Sequence, residues 1–163
     1  MAVKSALSVL ITIEPMIYCV YTDAATKNGT GVSNTAFLVL KGNNHIHTHS
    51  ELISANDSAV AESAAMSFAL KYVNDIVKPD VDDTVVFNSD SLYVIKFCKK
   101  CQRSTPDNSD RQVVRPVKNE YLGVIFDEIK RIGYKAKFVW VKSHTKGKSP
   151  NSYVDRLAKS GLN

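Results

Sequence analysis

Apolar and polar positions change period several times along these 163 residues, and each change predicts an element. The run "MIYCVYTD", residues 16–23, is β-branched and aromatic and gives way to the turn-rich "AATKNGTG", so a strand closing at Asp23 and then a loop are expected. Residues 32–54, "VSNTAFLVLKGNNHIHTHSELIS", read as two further strands folded about Lys41-Gly42-Asn43-Asn44, which makes the first three strands an antiparallel meander. The alanine-rich "DSAVAESAAMSFALKYVNDI" then switches to a helical period, with Met66, Ala69, Leu70 and Val73 on one face and Asp57 or Ser58 placed to cap it. A short buried-type strand, "DDTVVFNSD", ends at Asp90 and passes directly into a helix, "SLYVIKFCKKCQ".

The polar stretch "RSTPDNSDRQVVRP", residues 103–116, is broken by Pro106 and Pro116 and reads as a basic loop or short helical projection. Beyond it come an amphipathic helix, "VKNEYLGVIFDEIKRIG", ended by Gly133, and a strand, "YKAKFVWVKSH". The last element is a helix, "SPNSYVDRLAKSG", with Ser149 as N-cap, Pro150 in its first turn and Gly161 at its end. The order β-β-β-α-β-α-α-β-α predicts an α/β fold. Its mixed five-stranded sheet has a three-stranded antiparallel meander and two parallel strands, flanked by helices.

Residues 1–163 suffice for one domain with its own core, without disulfides or a structural metal. Residues 1–15 form an unassigned N-terminal extension. Within it "KSALSVLITI" has the outline of a weak signal peptide but no cleavage site, so an extra or capping strand is the expectation. No apolar run approaches the roughly 20 residues of a membrane span, so no membrane association is expected. Three cysteines, an odd number, favour a reducing cytoplasm.

Charge changes the picture. Residues 1–90 hold 5 Lys/Arg against 10 Asp/Glu, whereas residues 91–163 hold 16 against 6. An acidic half beside a strongly basic one suits an enzyme that grips a polyanion and cuts it with metal ions. The acids themselves stand at telling positions: Asp23 and Asp90 at strand ends, and Glu62 in line with Met66, Ala69 and Val73 on the first helix. Carboxylates drawn away from water need a counter-charge, and the first 90 residues have few basic side chains to spare. Oxygen-only ligands then point to Mg²⁺, with Mn²⁺ possible, over Zn²⁺. Asp155, one turn after Asn151 on the last helix, is a candidate fourth ligand.

Four stretches carry a family resemblance: "YTDAAT", "AVAESAAMSFAL", "FNSDSLYVI" and "WVKSHTKGKSPNSYVDRLA". In that order they resemble the first-strand aspartate, helix glutamate, fourth-strand Asp-Ser and closing His-loop-Asn-x-x-x-Asp-x-Leu-Ala signature of the ribonuclease H family, type 1. "RPVKNEYLGVIFDEIKRI" also resembles the segment after the basic handle of bacterial members. The resemblance implies a ribonuclease H-like fold and an endoribonuclease that hydrolyses the RNA strand of RNA·DNA hybrids with two divalent ions. It implies Asp23, Glu62, Asp90 and Asp155 as metal ligands and catalytic residues, with His144 as the catalytic histidine. A histidine near neutral pKa on a loop can accept or deliver a proton close to the scissile phosphate. Hybrid-binding candidates are Lys96, Lys99, Lys100, Arg103, Lys118 and Asn151, on a chain expected to act as a monomer.

The chain also departs from the family pattern. Asp23-Ala24-Ala25 replaces the frequent Asp-Gly-Ser, and Ser58 and Ala59 stand where many members place asparagines that sense 2′-hydroxyls. Competing functions are a DNA nuclease of the same fold, resolvase- or transposase-like, and a non-catalytic nucleic-acid-binding domain. Two patterns lie outside this scheme: "CKKC", with a redox or half-zinc outline inside a helix, and "HIHTH", which at strand spacing sets three imidazoles on one face. Trp140 is expected in the core.

Overall fold

The computed structural model describes residues 14–104, 119–143 and 147–163. The expected extra strand within residues 1–13, the basic segment 105–118 with Lys118, and His144 lie outside the described residues. The order of elements is β1 (Ile17–Lys27), β2 (Val32–Lys41), β3 (Asn44–Ser54), α1 (Ser58–Tyr72), β4 (Thr84–Ser89), α2 (Leu92–Arg103), α3 (Glu120–Lys130), β5 (Lys135–Trp140) and α4 (Pro150–Ser160). The strands form one sheet in the order β3-β2-β1-β4-β5. β1, β2 and β3 pair antiparallel, while β4 is parallel to both β1 and β5. The predicted meander with two parallel strands is the observed architecture.

The pleat sorts side chains onto two faces. Tyr18 and Val20 of β1, Phe37 and Val39 of β2, and Val85 and Phe87 of β4 meet α1, α2 and α3 in the main core. The alternate positions Ala36 and Leu38, with Tyr21 and Ala25 beside them, pack on Val154 and Ala158 of α4. By this alternation Asp23 lies on the α4 face.

Three expectations need correction, and one gains an unforeseen reason. β1 does not close at Asp23: Ala24, Ala25, Thr26 and Lys27 continue the ladder opposite Val32–Thr35 of β2. Pairing with a neighbour overrides the weak strand preference of alanine, and the turn comes only afterwards, where Gly29 and Gly31 take positive φ. α1 is buried well beyond one stripe, including Ala61, Ser63, Ala64, Ala65 and Ser67, because it lies between the sheet and α3. Gly161 ends α4 as expected, with φ −69; the reason for glycine is space, since a Cβ there would clash with Asn34 Nδ2, which donates to the carbonyl of Ala158 at 2.9 Å. Trp140, the last residue of the edge strand, is 49% exposed.

The histidine pattern also resolves differently. Leu40 pairs with His45 but Val39 with His47, so Ile46 is an extra residue in a β-bulge. The bulge breaks the alternation: His45 meets Tyr153 of α4 edge-on, whereas His47 stacks on Tyr72 of α1 with centroids 3.9 Å apart. The three imidazoles therefore do not share a face. Cys98 and Cys101 are free and buried in the main core, where burial pushes both thiols up, Cys101 to about 12. Thiols so far from ionisation are inert packing groups.

Candidate active site

The parallel register of β1 and β4 sets Thr22 opposite Ser89. Asp23 and Asp90 are the next residues on the two chains, so the ladder itself brings them side by side. Asp23 is held within the β1–β2 ladder opposite Ala36. Asp90 occupies the short turn into α2, where Ser91 N donates to Ser89 Oγ at 3.0 Å and Ser91 Oγ accepts from Val94 N as the helix cap. Trp140 Nε1 donates to the Asp90 carbonyl at 3.0 Å, which ties the edge strand to the same turn.

Glu62 comes from the N-terminal part of α1, whose entry is fixed by Asp57 Oδ1 accepting from Ala59 N at 2.7 Å. One carboxylate oxygen from each of Asp23, Glu62 and Asp90 lies within 4.8 Å of the others. They line one side of a cavity of about 900 Å³.

This cluster is electrostatically unresolved. Asp23 Oδ1 accepts from Ala24 N at 2.8 Å, but Asp23 Oδ2 and Glu62 Oε2 are buried with no hydrogen-bond partner. Burial first, and then the charge of Asp90, pushes the Asp23 carboxyl up from 3.8 to about 7. Burial and the neighbouring Asp23 carboxylate hold Glu62 well above the usual carboxylate range. Converging oxygens that repel one another, with buried lone pairs left over, are a donor set suited to a hard divalent cation.

Asp155 lines the same cavity from α4 but stands outside the trio; Lys159 Nζ donates to its Oδ2 at 2.9 Å. Asn151 is buried, its Nδ2 donating to the carbonyl of Lys142 at 3.3 Å while its Oδ1 has no partner. It thus joins the first turn of α4 to the chain just beyond β5. Ser143, the residue before His144, lies in the cavity wall. Lys96, Lys99, Lys100 and Arg103 are all exposed on α2, spaced three and four apart along one side of the helix. Leu92 and Tyr93, at the start of that helix, are exposed and line the cavity. Neither Trp140 nor Lys159 was singled out from the sequence for this site; the Asp155–Lys159 spacing of four on a predicted helix was the available signal.

A mixed sheet in this order, with carboxylates converging where its antiparallel and parallel halves meet, defines an α/β protein of the ribonuclease H-like class. The sequence model of the RNase H family matches residues 15–163, and the chain belongs to that family, which implies a nuclease hydrolase. RNase H1 from the halophilic archaeon Halobacterium salinarum has a similar fold, with a TM-score of 0.64 and 18% identity over 90% of this chain and 97% of that one. The N-terminal RNase H domain of a Mycobacterium tuberculosis protein, studied as a fusion with maltose-binding protein, gives 0.64 and 14% over 90% and 94%. Comparison with curated protein sequences finds no match.

Proposed function

We propose that this chain is an endoribonuclease that hydrolyses the RNA strand of RNA·DNA hybrids, using two divalent ions, Mg²⁺ or Mn²⁺, held by Asp23, Glu62, Asp90 and Asp155. The observation that supports it most is the convergence of three carboxylates within 4.8 Å, two of them with orphaned buried oxygens, in a chain of the RNase H family. When bound, such ions activate the attacking water and stabilise the leaving 3′-oxygen.

The chain's own part is to fix positions. Asp23 is held by the β1–β2 ladder, one residue past the end of the β1–β4 ladder, Asp90 by the capped turn, and Glu62 by the first turns of α1. Asp155 is the adjustable member, on a helix that meets β1 and β2. His144 takes or delivers a proton near the scissile phosphate, consistent with Ser143 at the cavity wall. Lys96, Lys99, Lys100 and Arg103, with Lys118, contact backbone phosphates and add affinity without joining the chemical step. Asn151 supports the hybrid site from the start of α4. Residues 1–163 act as one catalytic domain and as a monomer. The buried free thiols Cys98 and Cys101 agree with a reducing, cytoplasmic setting.

The test is a cleavage assay on end-labelled RNA·DNA hybrid, RNA duplex and DNA duplex, each with Mg²⁺ and with chelator. RNA-strand products from the hybrid alone, and only with Mg²⁺, are expected. Cleavage of the DNA duplex, or none of any substrate by folded protein, overturns the proposal.

A further inference from the structure

Lys159 is the one cavity-lining cation, among the described residues, that is bonded to a proposed metal ligand. It stands one helical turn after Asp155, the orientation in which an acid and a following base pair best on a helix. Its Nζ lies 2.9 Å from Asp155 Oδ2, and its exposed stem leaves it free to move.

The acids that line the cavity differ in one respect. Asp23 and Glu62 have buried oxygens with no partner, whereas Asp155, on α4, already has a cation. An ammonium carries the charge of half a divalent ion and reaches the carboxylate without shedding all its water.

We propose that Lys159 is a tethered counter-ion that holds Asp155 out of the carboxylate cluster, so that divalent ions must displace it before the fourth carboxylate can serve as a ligand. This rests on the metal-site reading above. The bland alternative, a helix-surface ion pair of little consequence, predicts no effect on ion binding. Under the proposal the trio supplies a standing site, and recruitment of Asp155 is a separate, competed step that sets the ion concentration at which the centre is complete.

The test is calorimetric titration of the full chain with MgCl₂ and with MnCl₂, without nucleic acid, at low ionic strength. Lys159→Met should tighten divalent binding about tenfold, the scale expected for removing one positive charge a few ångströms from a doubly charged ion in a water-exposed cleft. Lys159→Arg should restore wild-type affinity. In an Asp155→Asn background the gain from Lys159→Met should shrink, because the part of the competition that runs through Asp155 is gone. If Lys159→Met, with unchanged circular dichroism and melting, binds both ions as the wild type does or more weakly, the counter-ion role is overturned while the metal site stands. Should wild-type protein take up no divalent ion at all, the metal-site reading falls, and this inference with it.

Discussion

Two carboxylate sites in this molecule, each built round a buried acid, are handled in opposite ways. Glu128 on α3 is 7% exposed at its side chain, yet it receives Arg131 Nη1 at 3.0 and 2.8 Å and Asn74 Nδ2 at 2.9 Å. Arg131 also reaches Asp75 at 2.8 Å, and Tyr134 donates to Asn74 Oδ1 at 2.8 Å. Every partner there belongs to the chain. At the sheet's centre Asp23, Glu62 and Asp90 converge instead on one another, and two of their oxygens have no partner. A carboxylate that serves the fold is closed by the protein's own guanidinium; one left open is reserved for something from solution.

The contrast is broken most sharply by removing one acid from each group. Asp23→Asn should lower Mg²⁺-dependent hybrid cleavage at least ~10³-fold while leaving hybrid affinity in chelator nearly unchanged, since the loss falls on the chemical step. Glu128→Gln should leave turnover within about twofold and lower the melting temperature instead. Wild-type-like turnover of Asp23→Asn would remove this acid from the centre.

The second effect is on stability against pH. A carboxyl at about 7 in the folded chain and near 3.8 when unfolded binds more protons folded than unfolded between those values. Stability in chelator should therefore fall as pH rises from about 4 to about 7, by about 1 to 3 kcal/mol, and level off above. Asp23→Asn should flatten this slope, and saturating Mg²⁺ should offset the loss at pH 8. Thermal melts at pH 5 and pH 8 with chelator decide it, and a wild-type profile that does not fall refutes the idea of an unneutralised cluster.

The smallest change expected is at the closed group. Arg131→Met strands Glu128, but the guanidinium is half exposed, so about 1 to 2 kcal/mol is expected where a fully buried pair would lose more. Pairing it with Glu128→Met should recover part of that, measured by denaturant midpoint. No recovery would mean that the arginine acts mainly through Asp75.

Much of this was legible in the sequence because the period of apolar residues changes where the elements do. The meander, α1 and the Asp90 turn all follow from it. The family resemblance singled out Asp23, Glu62, Asp90 and Asp155, and the structure brings the first three together while Lys159 holds the fourth. What was not legible depends on partners distant in sequence. β1 continues through Ala24 and Ala25 because β2 lies alongside. The histidines part to two faces because one residue, Ile46, is extra in the β3 register. Gly161 is needed because Asn34, far away in sequence, approaches the end of α4. Trp140 looked like core because large aromatics usually are, and only the sheet order shows it on an edge.

That edge position gives the molecule an optical property. The chain has a single tryptophan, and its indole is both half in water and hydrogen-bonded to the backbone of Asp90. All indole emission therefore originates at one address, beside the carboxylate cluster, with no second fluorophore of that kind to dilute it. Shifts in its wavelength or quenching would follow ion uptake and duplex arrival in real time, so that pre-steady-state events at the centre are open to stopped-flow observation on unlabelled protein.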